Sequence, residues 1–153
     1  NFMFKTGVRT FEVAAYLKKF GIDVAEIKLL FQNDFDTYVA KVDIVKNAEF
    51  IKDKIAISVS RATHDDMPII AAQAADELLS ISGIQASFVL CKVDDVVMIS
   101  GRSMGDINVQ TILEKIGGGG HLTFAGAQIA GVELEEAKSR LLDSIDEYLE
   151  DNE

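Results

Sequence analysis

The chain has 153 residues, of which 48% are hydrophobic and 26% charged, a balance that fits one folded domain with an appendage. Twenty-five acids against 15 bases give a formal net charge of −10, which argues against a broad, non-specific grip on DNA or RNA through many Lys and Arg. A lone cysteine, Cys91, excludes an internal disulfide framework and fits a reducing compartment. No apolar run approaches a membrane span, and no basic segment leads into an apolar one as a secretory signal would.

Thr10 is placed to cap a helix over residues 11–20, with Gly21 as its C′ residue. Asp23 followed by Glu26 resembles a capping box and opens a second short helix that runs to about Phe31. A third helix is predicted over residues 34–47, with Tyr38, Val42 and Val45 on its packing face. This first third reads as a helical connector. Near residue 48 the period changes. Residues 55–60 alternate apolar and small polar side chains, the mark of a half-buried strand, and residues 49–51 are its hairpin partner across Lys52-Asp53-Lys54.

Helical spacing returns over 68–81. Asp65 or Asp66 is the expected cap, Pro68 suits the first turn and Gly83 closes the segment. Residues 86–93 and 96–100 read as two strands around an Asp94-Asp95 turn. A short helix over 108–116, a strand over 125–129 and a closing helix follow. The closing helix places Leu134, Ala137, Leu141, Ile145, Tyr148 and Leu149 on one face. The order gives an α/β (α+β) fold: a mixed sheet flanked by helices over residues 49–153, preceded by a helical connector over 1–48.

The most informative segment is Gly117-Gly118-Gly119-Gly120-His121. Glycine loses more backbone entropy on folding than any other residue, so a run of four needs a reason. One reason is an anion approaching so closely that no Cβ is tolerated, with successive N–H groups turned toward it and the imidazole donating from the side. The other is a tight turn beside an incidental histidine. Upstream, Arg102 follows directly on a predicted strand, where a guanidinium grips phosphate oxygens in a two-pronged fashion. Ser103 adds a hydroxyl, and Gly101 and Gly105 leave room. Asn108 is a good N-cap whose amide can instead face a nucleotide. Arg102 alone reads equally as a surface charge and Asn108 as a cap only.

His64 stands beside Asp65 and Asp66. Adjacent residues seldom converge on one ion, and both aspartates are placed to cap a helix, so a metal site is not assigned there. The nine Phe residues fall at core spacing and read as packing. The chain has no G-x-x-x-x-G-K-[ST], no H-E-x-x-H, no C-x-x-C and no G-x-S-x-G. It holds an anion site without an engine for breaking a bond.

Ser100-Gly101-Arg102-Ser103, Asn108-Val109-Gln110 and Gly117–His121 followed by Ala125-Gly126 resemble the DHHA1 domain of the DHH phosphoesterase superfamily. Within it, the chain is most similar to the cyclic-di-AMP phosphodiesterases of the GdpP type. Ala74-Ala75-Asp76-Glu77-Leu78-Leu79 and residues 84–88 share that likeness, and residues 1–48 resemble the segment joining the DHH and DHHA1 domains.

The resemblance implies a two-sided cleft. A DHH domain carries two Mn²⁺ ions on one side, and the DHHA1 domain supplies the substrate-binding wall on the other. Arg102 and Ser103 should then contact a phosphate or sugar. Gly117, Gly118, Gly119, Gly120 and His121 should hold a phosphate, and Asn108 is a weaker nucleotide contact. The DHH triplet and the D-x-D ligands are absent.

The chain, which starts at Asn1, is therefore expected to follow the last metal-binding aspartate of a longer enzyme. That enzyme would be cytoplasmic in its catalytic part, with any membrane anchor upstream. The chain itself is expected to bind a cyclic dinucleotide or short oligonucleotide without cleaving it, to carry no catalytic residue and no metal, and to pair with its DHH domain. A homodimer is left open. Alternatives are a nanoRNase or single-strand exonuclease of the same superfamily, a non-catalytic RNA-binding appendage, and a dimerisation module whose glycines only turn the chain.

Overall fold

The structure, a computed structural model, describes residues 6–64 and 66–152. Two compact units divide between Asp34 and Phe35. The first contains α1 (Val8–Lys19) and α2 (Val24–Leu29). Helix α1 begins earlier than Thr10 predicts. Gly7 is its N-cap, and the Thr10 amide donates to the Gly7 carbonyl inside the first turn. Gly21 adopts φ +86° just past the helix, as its C′ role requires. Asp23 caps α2 by accepting a 2.8 Å hydrogen bond from the Ala25 amide.

The second unit opens with α3 (Phe35–Lys46). This helix is apolar on two faces, and the buried surface only partly matches the face that spacing suggests. Ile44 is buried in the core with Ala40 and the predicted Val45 packed against it, whereas Tyr38 and Val42 are exposed. Both faces present apolar residues at helical spacing, so periodicity alone cannot choose between them.

Strands β1 (Glu49–Ile51) and β2 (Ile55–Ser60) form the predicted hairpin. Lys52 and Asp53 take φ of 47° and 56°, the left-handed pair that a tight hairpin turn demands. β2 is buried at nearly every position rather than half-buried, because helices cover both of its faces.

α4 (Met67–Leu78) then crosses over to β3 (Ala86–Val93), which pairs parallel with β2. The helix starts with Pro68 in its first turn and ends three residues earlier than the predicted Ile81. Asp66 stands at its N-cap without a side-chain cap bond, and the alternative cap, Asp65, lies outside the described residues. β3 turns at Asp94, φ 52°, into antiparallel β4 (Val96–Ser103). β4 runs three residues past the predicted end at Ser100. α5 (Val109–Glu114), β5 (Gly119–His121), β6 (Phe124–Ala130) and α6 (Leu134–Asp151) complete the chain.

The sheet order is β1-β2-β3-β4-β6-β5. One face is packed by α5 and α6 around Phe88, Leu90, Ile99, Ile112, Leu113, Leu141 and Ile145. The other carries α3 and α4 over Ala56, Val89 and Cys91, with Ile70, Ala74 and Leu78 contributed by α4. That second cover stops short. On β6, Ala125, Ala127 and Ile129 are buried toward α5 and α6, while Phe124, Gly126, Gln128 and Ala130 on the opposite face are exposed. The fold therefore leaves an open floor where β4, β6 and β5 lie side by side.

Candidate functional site

Arg102 is the penultimate residue of β4 and lies within the strand rather than beyond it. Its register partner on β6 is Phe124, and Phe124 is paired in turn with His121 on β5. Residues directly opposite across adjacent strands project to the same face. Arg102, Phe124 and His121 therefore form one row on the open floor, with Arg102 and His121 two strand spacings apart, roughly 10 Å. The structure brings the guanidinium and the imidazole to the same side of the sheet.

Two contacts orient this row. Arg102 Nε donates to Asp76 Oδ1 of α4 at 3.2 Å, and Nη1 donates to the Gly101 carbonyl at 2.9 Å. These use two of the five N–H donors of a guanidinium. The Arg102 side chain is 22% exposed, a group held in place with part of its surface facing solvent. On the other flank the His121 and Phe124 rings stack, with centroids 5.4 Å apart and planes 17° from parallel.

The glycine run is not one loop. Gly117, φ 82°, turns the chain after α5, and Gly119 and Gly120 are already in β5. The four glycines have different reasons to lack a side chain. A Cβ on Gly118 would sit 2.5 Å from the Gly126 carbonyl oxygen and 2.7 Å from the Ala127 Cβ. One on Gly120 would sit 2.5 Å from the Ala125 Cα. Both point into the packed side of the sheet, where β5 and β6 approach too closely for any side chain. At Gly117 and Gly119 a Cβ would meet nothing within 4 Å. Gly119 pairs with Gly126 and shares the open floor with it. β5 is also the last strand of the sheet, so backbone groups on its outer edge point away from any neighbouring strand.

Two predicted contacts lie elsewhere. Ser103 follows Arg102 and so points to the opposite face, since strand side chains alternate. It is 7% exposed, and its Oγ accepts a 2.8 Å hydrogen bond from the Gly105 amide, tightening the turn in which Gly105 takes φ 122°. Asn108 serves as the N-cap of α5. Its Oδ1 accepts from the Gln110 and Thr111 amides at 3.1 and 3.3 Å, and its backbone N–H donates to the Tyr148 hydroxyl at 3.0 Å. Gly101 leaves room for the core and not for a ligand. A Cβ there would meet Leu113 and Phe88 side chains at 3.1 Å.

Phe124 and Gln128 belong to the floor and escaped sequence reasoning, and Ser100 and Gly126, present in the quoted motifs, were given no site role. The signal was present as alternation: Met98, Ser100 and Arg102 occupy every second position of β4. Ending the strand at Ser100 hid that Arg102 continues the series.

His64 lies apart from this row in the chain. Its Nδ1 accepts from the Asp66 amide at 3.1 Å, and Nε2 is 3.5 Å from the Thr37 hydroxyl. Among the described residues no group of three His, Cys, Asp or Glu side chains is placed to hold a metal ion, so the donor set here does not fit a manganese pair. No described helix is long and apolar enough to cross a membrane. The site offers binding chemistry: a fixed guanidinium, an imidazole stacked on the phenyl ring between them, and bare backbone beside the row.

Comparison with known proteins bears on what such a floor receives. The DHHA1 domain family matches residues 52–151. The cyclic-di-AMP phosphodiesterase PdeA of Listeria monocytogenes is 42% identical over 149 residues, 97% of this chain and 23% of that protein. The cyclic-di-AMP phosphodiesterase GdpP of Bacillus subtilis is 39% identical over 153 residues, 98% of this chain and again 23% of that protein. This chain thus spans about a quarter of the length of these relatives. Among solved structures, an exopolyphosphatase-related protein from Bacteroides fragilis superposes with a TM-score of 0.79 at 22% identity, over 96% of this chain and 46% of that one. That likeness is one of fold.

Proposed function

This chain belongs to the DHHA1 domain family, and we propose that it forms the substrate-binding wall of a phosphodiesterase acting on cyclic-di-AMP or short linear dinucleotides. The observation that carries the reading is the row of Arg102, Phe124 and His121 on an uncovered sheet floor beside the bare backbone of Gly117 to Gly119. Arg102, already oriented by Asp76, presents donors to phosphate oxygens in a planar fork. His121 donates from the far end of the row. The glycines allow a phosphate to approach the main chain without meeting a side chain. Ser103 and Asn108 support this floor by fixing the turn after β4 and the start of α5.

Hydrolysis belongs to another part of the enzyme. The two manganese ions expected of a DHH domain would activate water and neutralise the phosphodiester's charge. The residues of this chain bind and position. An acidic protein with net charge −10 can still hold an anion in this way, because the charges that matter at contact distance are local.

Isothermal titration with 5′-phosphorylated diadenylate tests the reading. Removing Arg102 deletes charge-assisted hydrogen bonds worth about 1.5–3 kcal/mol, so Arg102→Ala should weaken binding roughly 10- to 100-fold. Unchanged affinity in a folded Arg102→Ala variant would remove the guanidinium from the site and the proposal with it.

A further inference from the structure

Immediately beside the row of Arg102, Phe124 and His121 lies a cavity of about 490 Å³ that none of these three lines and that shares Gly117 to Gly119 with the phosphate site. Its size is in the range of small-molecule sites, about 300–1,000 Å³. Pro68 from the first turn of α4 and Met98 from β4 contribute apolar surface, Ser100 and Gln128 polar atoms, and Gly119 and Gly126 the floor. We propose that this cavity seats a nucleobase, that the Gln128 carboxamide reads its edge, and that the site thereby selects nucleotides over phosphates that carry no base. The inference rests on the phosphate reading above and adds the recognition element that reading lacks.

The geometry is set by the register. Ser100, Gly126 and Gly119 are opposite one another on β4, β6 and β5. They lie one row along from Arg102, Phe124 and His121. Met98 and Gln128 make the next row. Successive residues on one strand face are about 7 Å apart, so the middle row, bare at two of its three positions, is a shelf bounded by the charged row and the Gln128 row.

The bareness is not demanded by packing. A Cβ at Gly119 meets nothing, and one at Gly126 comes no closer than 3.4 Å to the Ile99 carbonyl oxygen, whereas Gly118 and Gly120 are forced. Side chains at 119 and 126 would fill the shelf and nothing else. A flat ring laid there has Met98 and Pro68 for its apolar surface, and a phosphate one row away lies at Arg102 and His121.

Gln128 supplies the discrimination. A carboxamide presents a donor and an acceptor side by side, the pair that matches the N6 and N7 atoms of adenine. Stacking and edge recognition of a base are each worth about fivefold or more in affinity.

The test compares 5′-phosphorylated diadenylate with the same backbone lacking both bases, on wild type, Gln128→Leu, Gly126→Val and Arg102→Ala. Wild type should bind the diadenylate at least roughly tenfold tighter than the abasic probe. Gln128→Leu and Gly126→Val should erase most of that advantage while leaving abasic affinity and thermal stability near wild type. Equal affinity for the two probes, with Arg102→Ala weakening both, overturns the base seat and leaves the phosphate site standing. Equal affinity that Arg102→Ala does not alter, or no binding of either probe by wild type, overturns both. A Gln128→Leu variant that loses the two probes in parallel overturns the specificity role.

Discussion

A methyl group added at Gly118 collides with β6, and the same group added at Gly119 points into open space. Gly118→Ala should therefore destabilise the fold by about 1–3 kcal/mol or more, the range for overpacking. Gly119→Ala should stay within roughly 0.5 kcal/mol of wild type. Chemical denaturation of the two variants reads both values. Equal losses would mean that the run is a uniform turn.

Cys91 gives a second residue-scale prediction. It is 1% exposed beneath α4, and burial pushes its thiol pKa up to about 11. In the unfolded chain the thiol ionises near 8.5, so the unfolded state releases its proton first as pH rises. Folding stability should then fall between about pH 9 and 11, and Cys91→Ala should flatten that part of the pH profile.

Arg102 and His121 could be nominated from the sequence because their chemistry is written in their residue types. The division of labour among four identical glycines was not. It depends on which face of β5 each one takes, and a register is invisible in a run that has no alternation.

At the scale of elements, the strands were easier to read than their ends. β2, β3 and the β1–β2 turn follow from alternation and from Lys52-Asp53-Lys54. β4 was cut short at Ser100, and Gly101 was given only the role of leaving room. In the structure it is a strand glycine whose missing side chain admits Phe88 and Leu113, and that packing draws Arg102 and Ser103 into the sheet on opposite faces. α3 shows the converse failure: two apolar faces, one core to cover, and no local signal to say which face meets α4. Asn108 was legible in its bland role. As the cap of a six-residue helix, its replacement by Ala should cost about 1 kcal/mol, and it should alter dinucleotide affinity far less than Arg102→Ala does. A loss of affinity as large as that of Arg102→Ala, in a variant of unchanged stability, would return Asn108 to the binding surface.

For the molecule as a whole, the sheet's unequal cover is the decisive feature. α5 and α6 bury the centre of one face, α3 and α4 bury part of the other, and the remainder of that second face, floored by β4, β6 and β5, carries Arg102, His121 and the cavity. On the proposed reading such a wall binds and leaves the cutting to another domain. Incubated with Mn²⁺ and cyclic-di-AMP, the chain should leave the substrate intact. Turnover abolished by Arg102→Ala would place the reaction on this surface instead. The most direct measurement is an amide-resolved NMR titration of the chain with 5′-phosphorylated diadenylate. The shifts should cluster at Arg102, Gly117 to Gly119, His121 and Gln128, and vanish in Arg102→Ala. Shifts that map instead to the pocket that Glu49, Val59, Arg61 and Lys138 line at the β1–β2 end of the sheet, or that persist unchanged without Arg102, would contradict the account.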